Sequence, residues 1–183
     1  MIITMTGKPC SGKSALIFYL MDKYGFTRFS GGDIYRRVAS ERGIDVLELN
    51  RINDVTVDKL VDEEIVRIGE RDLEKDIIFD SRTAWYFIPK SFKVFVDIQG
   101  EEQISRLLGS NRTTENINLT REEARKNLDE RWELENKRYQ TLYGFDNKSP
   151  DNYDFVIDTT DLSIEEAGEK VYEKYQEFLK NRK

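Results

Sequence analysis

An eight-residue stretch near the amino end, Gly7-Lys8-Pro9-Cys10-Ser11-Gly12-Lys13-Ser14, constrains this chain more than any other feature. It fits the pattern G-x-x-x-x-G-K-[ST], and its setting matters as much as its letters. Ahead of it residues 1–6 are apolar and β-branched; behind it the segment from 13 to 24 is apolar almost all round. That order predicts a buried strand, a tight turn and a buried helix, the opening of a β-α unit. Glycines at 7 and 12 allow a concave loop whose backbone N–H groups point at one anion, and the following helix adds the positive end of its dipole. In such a loop Lys13 bridges the β- and γ-phosphates of ATP and the Ser14 hydroxyl binds Mg²⁺. A chance glycine turn is the competing reading, and the strand and helix on either side weigh against it.

The rest of the chain continues the alternation. Residues 26–30, 77–80, 93–97 and 154–158 read as strands, each separated from the next by helical pattern, so the fold class is α/β, layered, with a mainly parallel sheet. Val57, Leu60, Val61, Ile65 and Ile68 recur at three- and four-residue steps and predict a core-facing stripe. Ile164, Ala167, Val171, Tyr172, Tyr175, Phe178 and Leu179 predict a second. Thr120 with Glu123, and Ser163 with Glu166, are capping boxes that mark helix starts. Residues 109–120 and 144–153 are polar loops, the first a candidate mobile lid. Nothing in the pattern divides the chain, so one domain over residues 1–183 is expected.

Composition narrows the chemistry. The 183 residues include no His and a single Cys, which excludes Ser-His and Cys-His pairs, HExxH zinc sites and internal disulfides. Chemistry must run on Lys, Arg, carboxylates, hydroxyls, backbone amides or a bound metal. Cysteine usage suits a reducing, cytoplasmic setting, no apolar run approaches the ~20 residues that cross a bilayer, and a functional loop at residue 7 leaves no room for a signal peptide. With 29 Lys and Arg against 35 Asp and Glu, the net charge of −6 argues against nucleic-acid and membrane partners, while a local arginine cluster can still hold a small anion. No obligate protein partner is evident. Cys10 sits where a thiolate is favoured, but a small side chain that simply fits the loop is the favoured reading.

Two acids are candidate metal ligands beside Ser14. Asp80 ends a predicted strand, and Asp33 follows Gly31-Gly32 at the end of another; strand ends converge on the crevice of a parallel sheet. Asp33 also fits as a helix N-cap. A second signal lies in the helix from 121 to 142, where Arg131, Glu135 and Arg138 fall on the side of Ala124, Leu128 and Leu142. Arg131 and Glu135 read either as a surface i,i+4 pair or as part of an arginine set aimed into a phosphate cleft, and the phosphate loop favours the second. Arg36, one turn into the helix after Asp33, and Arg82, two residues past Asp80, should reach the same crevice.

With these residues assembled, the chain resembles the nucleoside monophosphate kinases, most closely the short archaeal-type cytidylate kinases. The segments GKPCSGKS, SGGDIYRRVASERG, DSR, ERWELENKRYQTLYGFD and YDFVIDTTDLSIEEA carry the likeness in family order, over nearly the whole length. The resemblance implies a three-layer P-loop kinase fold with a five-stranded parallel sheet, helices on both faces and a helical lid. It also implies a monophosphate-binding segment over 33–75, a lid over 106–120, and transfer of a phosphoryl group from ATP with Mg²⁺ to CMP or dCMP. Another small acceptor (AMP, UMP or a metabolite hydroxyl) and a non-catalytic nucleotide-binding switch are the alternatives. By position, Arg36 and Arg82, with Asp33 nearby, would hold the acceptor monophosphate, Lys13, Arg131 and Arg138 would serve the transferring group, Arg106 and Arg112 would lie on or beside the lid, and Glu135 would face the base. The chain departs from the family at Ser81-Arg82, where Gly-Arg is usual, in the bulky Thr83-Ala84-Trp85-Tyr86, and in the wording of residues 110–118.

Overall fold

The computed structural model describes residues 1–52, 54–71, 76–109 and 119–181. Five strands, β1 (Ile2–Gly7), β2 (Thr27–Ser30), β3 (Ile77–Asp80), β4 (Phe92–Asp97) and β5 (Phe155–Asp158), form one parallel sheet in the order β2-β3-β1-β4-β5. The order reverses about β1: its chain successors build one side through β2 and β3, then the other through β4 and β5. Such a switch point opens a crevice beyond the carboxyl ends of the strands, and the loop after β1 lies there.

Strand alternation sorts the core into two faces. Ile3, Met5, Ile78, Val94, Val96 and Ile157 pack on α1 (Lys13–Tyr24) and α8 (Ile164–Lys180). Ile77 and Phe79 point the other way, onto α4 (Val55–Gly69) and the short α5 (Ala84–Phe87). Phe95, also out of step with Val94 and Val96, meets Trp132 of α7 (Arg121–Tyr143) on that second face. Helices therefore cover both sides of the sheet, the three-layer arrangement expected. The remaining helices are α2 (Gly31–Glu41), α3 (Val46–Ile52) and α6 (Gly100–Gly109). Among the described residues no helix is long and apolar enough to cross a membrane.

Both capping boxes form, at Thr120–Glu123 and Ser163–Glu166. The two apolar stripes are narrower than their spacing predicted. Leu60 and Ile164 are about half exposed, while α4 turns Val57, Asp58, Val61, Asp62 and Ile65 inward. Two carboxylates pull the buried face of α4 round because each finds partners inside. At α2, Ser30 rather than Asp33 is the N-cap: its hydroxyl accepts from the Asp33 N–H at 3.2 Å, so the helix starts at Gly31 and Asp33 falls in its first turn.

Candidate active site

The loop after β1 is held as a cradle. Lys8 N–H donates to the Val96 carbonyl at 3.1 Å and Ser11 N–H to the Lys8 carbonyl at 3.3 Å. Gly7 adopts φ 154° with its α-carbon against β4, where an added Cβ would collide with the Val96 carbonyl, so only glycine fits. Gly12 ends the loop at φ 80°. Leu16 N–H donates to the Gly12 carbonyl at 3.0 Å, and the N–H groups of the first turn ahead of it have no acceptor within the helix. They aim at the crevice together with the positive end of the helix dipole. Thr159 braces the loop from behind, donating from its hydroxyl to the Ser11 carbonyl at 2.8 Å.

The end of β3 delivers the acid. In a parallel pair, residues in register share a face: Asp80 is in register with Met5, which faces α1, so its carboxylate also faces the loop. There it takes the Lys13 ammonium on Oδ1 and Arg28 on Oδ2, the latter at 2.7 Å. Burial, then the positive charges of Arg82 and Arg28, push the Lys13 ammonium well below its ordinary value. The Glu135 carboxylate opposes them.

A cavity of about 240 Å³ opens over this loop. Its walls bring together Lys8, Pro9, Cys10 and Ser11 of the loop, Lys13 and Ser14 at the start of α1, Arg36 of α2, Asp80 at the end of β3, Arg82 beyond it, and Arg131, Glu135 and Arg138 of α7. At the centre, Arg82 donates from Nε to Glu135 at 2.8 Å and from Nη1 to the Gly7 carbonyl. Arg131 reaches the other Glu135 oxygen at 3.0 Å. The i,i+4 pair therefore exists, and it lies in the cleft rather than on a solvated face. Burial raises the Glu135 carboxyl, but Arg82 and Arg131 outweigh it and hold the group at about 2. Deeper in, Arg138 is 6% exposed, lies over the rings of Tyr35 and Tyr139 at 5.5 and 5.0 Å, and pairs with Asp58 at 3.3 Å.

Other expected residues fall elsewhere. Asp33 is not a wall of the cavity; its half-exposed carboxylate is held by Arg36 and, at 3.0 Å, by Arg28, whose guanidinium separates it from Asp80. The earlier start of α2 explains this, since a first-turn residue points along the helix surface and not off its end. Arg106 packs beside the loop, donating to the Thr159 carbonyl at 2.7 Å. Arg112, with most of the 106–120 lid, lies outside the described residues. The bulky Thr83–Tyr86 stretch does not narrow the cavity: Trp85 turns away into an aromatic cluster with Phe145 at 4.7 Å and donates to Asn147 at 2.9 Å.

Arg28, Tyr35 and Asp58 escaped the sequence reading. An arginine in an edge strand carries no motif, but Asp58 and Asp62, at i,i+4 beside Val57 and Val61, interrupt an apolar stripe just as Glu135 does on α7. As metal donors, Ser14 and Asp80 supply hard oxygens on one cavity, and among the described residues no group of three or more acids or thiols gathers. That set suits a cation such as Mg²⁺ that takes its remaining ligands from phosphate and water.

Residues 2–161 match the cytidylate kinase-like family. The chain belongs to that family. It is thereby an enzyme of the nucleoside monophosphate kinase class. The cytidylate kinase of Sulfurisphaera tokodaii is 31% identical over 98% of this chain and 97% of that one. The cytidylate kinase of Methanothrix thermoacetophila is 32% identical over 87% and 88%. Among solved structures, shikimate kinase from Bacteroides thetaiotaomicron superposes with a TM-score of 0.65 at 14% identity, covering 96% of this chain and 98% of that one. At that identity the likeness concerns the fold. The family thus shares a P-loop kinase fold with enzymes of different acceptors, and the acceptor must be argued from the cleft.

Proposed function

We propose that this enzyme transfers the γ-phosphoryl group of ATP, taken with Mg²⁺, to a pyrimidine nucleoside monophosphate, CMP or dCMP first. The observation that carries the reading is the convergence of Lys13, Arg36, Arg82, Arg131 and Arg138 on one cavity where, among the described residues, Asp80 and Glu135 are the acids in the walls. Two polyanions must meet in such a cleft, and fixed cations are what align them and neutralise the charge that spreads over the migrating oxygens.

The loop N–H groups and Lys13 would hold the donor's β- and γ-phosphates, with Arg106 and Arg112 flanking the donor. Ser14 and Asp80 are the residues that would hold Mg²⁺, with Asp33 at one remove behind Arg28. Held there, Mg²⁺ would supply positive charge that offsets the charge of the phosphates. Arg36 and Arg82 would receive the acceptor's phosphate, Arg131 and Arg138 would grip the transferring group, and Glu135 would keep Arg82 and Arg131 apart and oriented while facing the base. The names of the archaeal relatives support the cytidine choice.

A coupled assay of ADP release across CMP, dCMP, UMP, dTMP and AMP tests this. CMP and dCMP are expected to lead. Release indifferent to every acceptor would overturn the transfer reaction, and a preference for AMP would overturn the acceptor.

A further inference from the structure

Helix α4 carries two buried carboxylates one turn apart, and each ties α7 to a different neighbour. Asp62 accepts from the Thr83 hydroxyl at 2.8 Å and from Tyr143 of α7. Asp58, 2% exposed, accepts the Tyr35 hydroxyl of α2 on Oδ1 and meets Arg138 of α7 at 3.3 Å on the same atom. Burial raises both carboxyls above their ordinary values, although hydrogen bonds and, at Asp58, Arg138 oppose it. The two tethers differ in two respects: Tyr35 and Arg138 both line the cavity whereas Thr83 and Tyr143 do not, and Asp58 faces a cation where Asp62 meets two hydroxyls.

The geometry points to Asp58 as a positioning residue for phosphoryl transfer, acting through Arg138 and Tyr35. This rests on the reaction proposed above. An arginine side chain has many rotamers, and one that must meet a transition state works best when its rotamer is set beforehand. Arg138 is confined by Asp58 at its Nε and by the rings of Tyr35 and Tyr139. The same carboxylate fixes the Tyr35 hydroxyl, so one buried group sets two adjoining wall residues of the cavity. Fold stability does not by itself call for this arrangement, since a well-packed apolar substitute for a buried ion pair is often neutral or stabilising. Asp62 supplies the comparison: a carboxylate on the same helix with similar burial, whose partners are hydroxyls outside the cleft.

The experiment is steady-state kinetics on full-length wild type, Asp58→Asn, Asp62→Asn, Arg138→Met and the Asp58→Asn/Arg138→Met double variant, varying donor and acceptor separately. Asp58→Asn is expected to lower kcat/KM for the acceptor at least about tenfold while the donor KM stays within about twofold. Asp62→Asn is expected to leave both within about twofold. If Asp58 acts through Arg138, the double variant is no worse than Arg138→Met alone. That comparison also stands if Asp58→Asn does not fold, because the double variant leaves neither charge unpaired and in Arg138→Met the Asp58 carboxyl, raised by burial, neutralises by taking a proton. Wild-type values in Asp58→Asn, equal losses in the two aspartate variants, or additive losses in the double variant overturn the positioning role while the reaction stands. Wild-type turnover that ignores every acceptor overturns the reaction, and the positioning role with it.

Discussion

Arg82, from the turn after β3, donates across the cleft to Glu135 in the middle of α7 at 2.8 Å. The same guanidinium also bonds the carbonyl of Gly7, so three separate segments, the phosphate loop, the end of β3 and α7, meet at one side chain. Glu135 completes the arrangement by taking Arg131 on its other oxygen.

Replacing Glu135 by Gln leaves two guanidiniums against a neutral amide in a buried place. Breaking a buried pair in this way costs about 3–5 kcal/mol of stability, and kcat should fall by about tenfold or more as Arg82 and Arg131 lose their orientation. Urea unfolding and a turnover assay read the two effects; an unchanged kcat would remove Glu135 from any part in the reaction.

The same variant has a pH signature. Glu135 is held at about 2 against an ordinary 4.5, and a carboxyl lowered in the fold contributes stability that is present above its unfolded value and lost as pH falls through the folded one. The stability gap between wild type and Glu135→Gln should therefore be full above about pH 4.5 and close as pH falls toward about 2. Asp58 and Asp62 carry the opposite sign, so the difference between variants is the quantity to follow. A gap that widens with acid contradicts the assignment.

Lys13→Ala should abolish turnover while the fold persists. Asp80 keeps Arg28 as a partner at 2.7 Å, so no buried carboxylate is stranded by the change. Circular dichroism and ADP release check the two halves, and near-normal turnover would show that the loop lysine is not catalytic.

Arg28 joins Asp80 to Asp33, and thus β3 to α2. Arg28→Met should remove that bridge, cost about 1–3 kcal/mol and lower kcat/KM, because Asp80 is left to Lys13 alone. Unfolding and kinetics together decide; a variant with wild-type values in both would make the bridge incidental.

Gly168 of α8 is a control far from the chemistry. A Cβ there would collide with the Tyr19 ring of α1, so Gly168→Ala should destabilise by about 1–3 kcal/mol without changing kcat or either KM. Lost activity at unchanged stability would contradict this.

Much of this architecture was legible because its signals are local. The five strands, the phosphate loop and both capping boxes depend on residues a few positions apart, and period-two and period-3.6 patterns encode which face each residue takes. The interrupted stripe on α7 was legible for the same reason. Asp33 was misplaced because cap residues compete within a short window, and Ser30 reached the free N–H first. Arg28 and Asp58 were invisible because their partners lie 52 and 80 positions away in the chain.

By itself the sequence determined the α/β alternation, the phosphate loop and an arginine set on one helix, since each follows from backbone sterics or helical geometry within one element. Tertiary structure decided which cations share a cavity and what holds them there. Glu135 lies between Arg82 and Arg131, and Arg138 lies against Asp58, only because a parallel sheet whose strand order reverses at β1 brings the ends of β1 and β3 under α7. Long-range electrostatic pairing of that kind depends on packing distances, and no spacing along the chain encodes them.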